Sequence, residues 1–164
     1  MRLIKELIPY VVIILIVVLI RTFIITPVRV NGVSMEETLH DGEILLLEKC
    51  DTNYDRFDIV VVKYNKEKLV KRVIGLPGDM VEYKNNILYI NGEKIDEVFT
   101  DEITDDFSLK KLGYDIIPEG YYFVVGDNRD DSLDSRYLGL FKKDSIEGKV
   151  VFRIFPFNKF GKIK

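Results

Sequence analysis

Leu69-Val70-Lys71-Arg72-Val73-Ile74 sets two cations inside an apolar, β-branched run. Side chains alternate faces along a strand, so Lys71 shares one face with Leu69 and Val73 and Arg72 shares the other with Val70 and Ile74. Charges embedded this way are costly without partners. Arg72 stays charged, and a carboxylate would satisfy it through a bidentate fork. Lysine has a second option, because burial favours its neutral amine. A neutral amine can take the proton of a serine hydroxyl, which makes Lys71 a candidate general base. From strand position alone, a solvated edge lysine fits Lys71 better. Ser34 is a candidate nucleophile in Val28-Arg29-Val30-Asn31-Gly32-Val33-Ser34-Met35, an extended segment running into a glycine. Gly32 lets backbone approach a bound peptide closely. Taken singly, that signal is weak.

The elements that would position these residues are mostly strands. Ile44 to Leu47, Ile59 to Val62, Leu69 to Ile74, Ile87 to Ile90, Tyr121 to Val125 and Val150 to Phe155 are short β-branched or aromatic runs. Turn chemistry such as Asp41-Gly42, Asn85-Asn86 and Asn91-Gly92 separates them, and the pattern predicts an all-β domain. Residues 93–117 are acidic and less periodic, which predicts a surface excursion. A solvated acidic loop explains that stretch better than a calcium site.

Ahead of the strands, Leu7 to Ile25 is the one long apolar stretch, without charge from Leu7 to Ile20. About 20 residues cross a bilayer core, so this stretch predicts a transmembrane helix with Arg21 snorkelling at one interface. Pro27 ends it. Arg2 and Lys5 place the N-terminus in the cytoplasm by the positive-inside rule. No small-residue cleavage pattern follows the apolar run, which argues against a removable leader. The lipid bilayer is thus one expected partner. A net charge of -3 gives no basic face for nucleic acid. The single cysteine, Cys50, excludes an internal disulfide and a Cys-rich metal site.

Four segments together resemble the bacterial type I signal peptidases. Ser34-Met35-Glu36-Glu37-Thr38-Leu39 is similar to their nucleophile box, and Tyr54-Asp55-Arg56-Phe57-Asp58-Ile59-Val60-Val61 to the next. Lys71-Arg72-Val73-Ile74-Gly75-Leu76-Pro77-Gly78-Asp79 is similar to the lysine box, and Gly126-Asp127-Asn128-Arg129-Asp130-Asp131-Ser132-Leu133-Asp134-Ser135-Arg136 to the last. They occur in the family's order after an apolar span.

The resemblance implies a mainly β protein: an N-terminal transmembrane helix, then an antiparallel β domain of the kind shared with LexA-type proteases. Residues 1–26 would be the cytoplasmic N-terminus and anchor, and 27–164 the extracytoplasmic catalytic domain. It implies cleavage of signal peptides from exported pre-proteins, after small residues, with no cofactor and no metal. Ser34 would be the nucleophile and Lys71 its base. Ser132 would hydrogen-bond the Lys71 amine. Asp134 and Arg136, with Arg72 and Asp127, would form an ion-pair scaffold. Val28, Val30, Gly32, Met35, Leu39, Leu45, Leu69 and Val70 would line shallow substrate pockets, although the apolar ones would serve equally as β core. Two departures stand out. Gly32 has no hydroxyl where some members add an oxyanion donor. Glu37 replaces the family's usual proline, which predicts a slightly looser turn.

His40 is the only histidine, so a Ser-His-Asp triad would have to use it; the serine–lysine variant needs none. A LexA-type repressor would require a DNA-binding domain where this chain has its apolar run. A catalytically idle assembly factor for pili or surface proteins would be expected to lose Ser34 or Lys71, and both are present.

Overall fold

In a computed structural model, residues 2–163 are described, apart from the side chains of residues 2–5, 20 and 23. Helix α1 (Arg2–Phe23) takes up most of the apolar run. The chain is already extended at β1 (Ile25–Arg29). The helix expected as far as Ile25 therefore ends at Phe23. Pro27 is accommodated because β1 is an edge strand, where a missing N–H costs no ladder bond. Among the described residues no helix is long and apolar enough to cross a membrane. The orienting charges of Arg2 and Lys5 lie outside the described side chains.

The rest is mainly antiparallel β. The larger sheet runs β1, β2 (Ile44–Glu48), β11 (Ile146–Phe155), β3 (Ile59–Tyr64), β4 (Glu67–Gly75), β9 (Tyr121–Val125) and β10 (Phe141–Lys142), with β12 (Gly161–Lys162) on β11. A second sheet orders β7 (Glu93–Ile95), β6 (Ile87–Ile90), β5 (Val81–Lys84) and β8 (Phe107–Ser108). Its hairpins turn at Asn85-Asn86 and Asn91-Gly92. All four residues have positive φ, as two-residue turns of the I′ kind demand.

Alternation along the strands sorts the core. Val60, Val62, Val73 and Val124 gather on one side. Leu45, Leu47, Val61, Val70 and Val150 gather on the other, joined by Met35 and Leu39 from the loop after β1. Residues 93–117 are less of an excursion than their acidity suggests. Phe107, Leu109 and Ile117 are buried against Val81, Tyr83 and Leu88. Most of the acids here are exposed, as are Val98, Ile103 and Ile116, while Glu97 turns inward to pair with the buried Arg129 at 2.7 Å.

Candidate active site

Ser34 sits on the loop joining β1 to β2. The strands pair as far as Arg29 and Ile44, and Val30 N donates to Glu43 O at 2.9 Å, closing the loop's neck. Met35 and Leu39, 1% and 0% exposed, drive the loop into the core by burial of apolar surface. The serine between those anchors and the neck is pressed toward β4.

Lys71 lies mid-β4, opposite Val60 on β3, and is 1% exposed. Its Nζ donates to Ser34 Oγ at 2.6 Å. Burial depresses the amine from 10.5 to about 8; Asp134 draws it partly back up, Arg136 adds to the lowering, and Asp127 again opposes it. The amine therefore gives up its proton readily and stands within transfer distance of a hydroxyl.

Arg72 pairs with Val125 at the end of β9, so the next turn delivers Asp127 to its guanidinium. The fork is bidentate: Nε to Oδ1 at 2.8 Å and Nη2 to Oδ2 at 2.6 Å, both groups buried. Phe99 stacks over the guanidinium at 4.0 Å. Asp134 caps helix α2 (Ser135–Leu138). It accepts from Gly126 N, from Ser132 Oγ at 2.7 Å, and from Arg136 Nε and Nη2, both at 2.9 Å. The expected scaffold of Arg72, Asp127, Asp134 and Arg136 is thus brought together behind Lys71. The expected Ser132–Lys71 hydrogen bond is not formed. The Ser132 O–H donates instead to the Asp134 carboxylate beside it, which leaves the hydroxyl oxygen able to accept.

Several residues that the sequence did not single out hold the serine loop. Thr38 Oγ1 donates to Asp127 Oδ2 at 2.6 Å and accepts from Arg72 Nη2 at 3.2 Å. Asn128 grips the peptide carbonyls flanking the serine: its N donates to Ser34 O and its Nδ2 to Val33 O, each at 3.2 Å. A Cβ on Gly126 would collide with the Ser34 carbonyl and with Ser132 Oγ, so only glycine fits there. Thr38, Gly126 and Asn128 all fall within the quoted boxes, which was the one available signal for them. Glu37 has φ of 84°, a conformation closed to proline. The turn here takes a different path from one that proline could occupy, rather than a looser version of it.

The residues expected to line substrate pockets divide. Val28, Leu69 and Val70 line a groove of about 700 Å³ between β1 and the start of β4, together with Asn31, Lys66 and Lys68. Val30, Met35, Leu39 and Leu45 are corrected to core: they are 2% exposed or less and point between the sheet and the loop. Gly32 is exposed in the loop, its N donating to Asp41 Oδ1 at 2.8 Å. His40 is exposed on the same loop, and Cys50 is exposed beyond β2. Among the described residues no acid, histidine or cysteine cluster is arranged to hold a metal.

A serine hydroxyl set against a buried amine on an antiparallel β domain is an arrangement suited to a serine peptidase. The family model described as signal peptidase, peptidase S26, matches residues 3–155, and the chain belongs to that family. It is 44% identical to a signal peptidase I of Bacillus caldolyticus, over 93% of this chain and 91% of that one. It is also 44% identical to signal peptidase IB of Staphylococcus aureus, over 84% and 82%. A crystal structure of signal peptidase I from Enterococcus faecalis V583 is 42% identical with a TM-score of 0.55, covering 59% of this chain and 96% of that one.

Proposed function

We propose that this protein is a membrane-bound signal peptidase I that removes signal peptides from exported pre-proteins, with Ser34 as nucleophile and Lys71 as general base. The observation that carries the reading is the 2.6 Å contact between the two groups, with the amine buried and lowered to about 8. The neutral Lys71 amine takes the hydroxyl proton as Ser34 Oγ bonds to the scissile carbonyl carbon. The oxyanion is met by the Ser34 backbone N–H. Collapse breaks the peptide C–N bond, and the lysine ammonium returns its proton to the departing amine. Water then attacks the acyl–serine ester as Lys71 accepts its proton, the Oγ–carbonyl bond breaks, and Lys71 returns the proton to Ser34 Oγ as the new carboxyl group leaves. Arg72, Asp127, Asp134 and Arg136 hold the frame. A signal peptide with small residues at the first and third positions before the cut lies extended in the groove beside Val28, Leu69 and Val70. Apolar walls close behind a small side chain reject larger ones by overpacking.

Helix α1 is the anchor in this reading. Its apolar side chains from Leu7 to Leu19 are 46–65% exposed on every face, which suits lipid and not water. The uncharged sequence continues to Ile20, and Arg2 and Lys5 mark the cytoplasmic end. Residues 27–164 then work outside the cytoplasmic membrane. The test is incubation of the full-length protein with a pre-protein beside Ser34→Ala and Lys71→Met. Wild type releases the signal peptide and both variants lose at least about 10⁴-fold in rate. Equal cleavage by either variant refutes the dyad.

A further inference from the structure

Arg153, on β11, lies outside every motif that led to the site. Its register neighbour is Leu45 on β2, and register irregularities fall on either side of it, between Val150 and Phe152 and between Arg153 and Phe155. Bulges of this kind re-aim a side chain. Here the guanidinium turns toward the serine loop. Nη2 donates to the Thr38 carbonyl at 2.6 Å. Nε stands 2.9 Å from Glu43 Oε2, with side chains only 13% and 4% exposed. Nε and the carboxylate oxygens are nonetheless out of line for a hydrogen bond. An arginine that served only to neutralise Glu43 would present its parallel fork to the carboxylate. This one is held by the carboxylate's charge and spends its aligned hydrogen bond on the loop.

Thr38 is the point at which that force acts. Its hydroxyl is joined to Asp127 and Arg72 while its carbonyl is joined to Arg153. Four residues upstream, Asn128 holds the Ser34 carbonyl. The loop is therefore gripped on both sides of its turn, and Glu43 stands at the neck where it rejoins β2. We infer that Arg153, held by Glu43, is a positioning residue that fixes Ser34 against Lys71 through the Thr38 carbonyl.

This inference rests on the peptidase reading. Its test uses full-length protein in detergent, a fluorogenic peptide with alanine at the first and third positions before the cut, and hydrogen exchange. Arg153→Met should lower kcat about 10- to 100-fold, the cost of a small misplacement, with KM within about twofold. Amide exchange should quicken over residues 33–39 while β2 and β11 stay protected. Arg153→Lys, which keeps a donor and a charge, should recover part of kcat, and Glu43→Gln should show a milder form of the same defect. Unchanged kcat, or protection lost throughout β2 and β11, overturns the inference; if Arg153→Met does not fold, Arg153→Lys and Glu43→Gln decide by the same criteria. If wild type leaves the peptide intact, the peptidase reading has failed, and exchange over 33–39 alone decides whether Arg153 orders the loop.

Discussion

The Lys71 amine and the Ser34 hydroxyl meet at 2.6 Å from positions 37 residues apart in the chain. The amine is buried in β4, and the hydroxyl is brought to it by a loop whose Met35 and Leu39 are sunk in the core. Proton affinity and geometry are therefore set by the same packing.

The rate should follow the neutral amine. With Lys71 lowered to about 8 by burial, kcat/KM for a signal-peptide substrate should rise about tenfold per pH unit below 8 and level above it. Steady-state rates from pH 6 to 10 check this. A profile flat across that range removes Lys71 as the base.

The same burial acts on stability. The folded-state value lies below the unfolded 10.5. Between about 8 and 10.5 the unfolded chain holds a proton that the folded chain has released, so this group's contribution to stability rises with pH through that window. Below about 8 both states are protonated and the full penalty of burying an ammonium remains. Lys71→Met removes that penalty at the expense of one hydrogen bond. The variant should be about 2 kcal/mol more stable than wild type at pH 7. The gap should close as pH rises toward 10.5. Urea unfolding at several pH values reads both.

Arg72 and Asp127 offer a contrast, since each is buried against an oppositely charged partner at 2.6 Å. Removing one leaves the other stranded. Asp127→Asn and Arg72→Met should each cost about 3–5 kcal/mol, while the double variant Arg72→Met/Asp127→Leu should cost far less than their sum. Thr38→Val, which strips a hydroxyl from this pair, should lose about 2 kcal/mol, and Thr38→Ser should keep most of it. A double-mutant cycle by denaturant unfolding measures the coupling; additive losses contradict the network.

The strands with strict β-branched runs were legible because periodicity reports burial directly, and β6 and β9 begin and end where the sequence places them. Short strands such as β8 and β10 carry no period long enough to see. Ser34 and Lys71 were legible as a pair through the family boxes, and Arg72 through its need for a carboxylate. Met35, Leu39 and Leu45 could not be told from pocket walls, because an apolar residue serves either purpose until the loop is seen to fold inward. Ser132 donates to Asp134, a partner that the box sequence alone does not select. Arg153 and Glu43 gave no sign at all, since their contact with the serine loop depends on strand order and on irregularities in β11.

Glu37 gives the last expectation. Its φ of 84° places a side-chain-bearing residue in the left-handed region, where only glycine is at ease. Such a residue costs about 1–2 kcal/mol. Its carboxylate recovers little, reaching Asp101 N only at 3.4 Å on the exposed side. Glu37→Gly should therefore stabilise the protein by about 1 kcal/mol, somewhat offset by the added freedom of the unfolded chain. Glu37→Pro should do the opposite, because the ring fixes φ near −65° and the loop cannot keep both Met35 and Leu39 in the core around it. Since Ser34 is three residues away on the same turn, Glu37→Pro should also lower kcat, and Glu37→Gly should leave it within about twofold. Urea midpoints and steady-state rates measured side by side settle the matter. A proline variant as stable and as active as wild type would mean that the turn does not hold this conformation in solution.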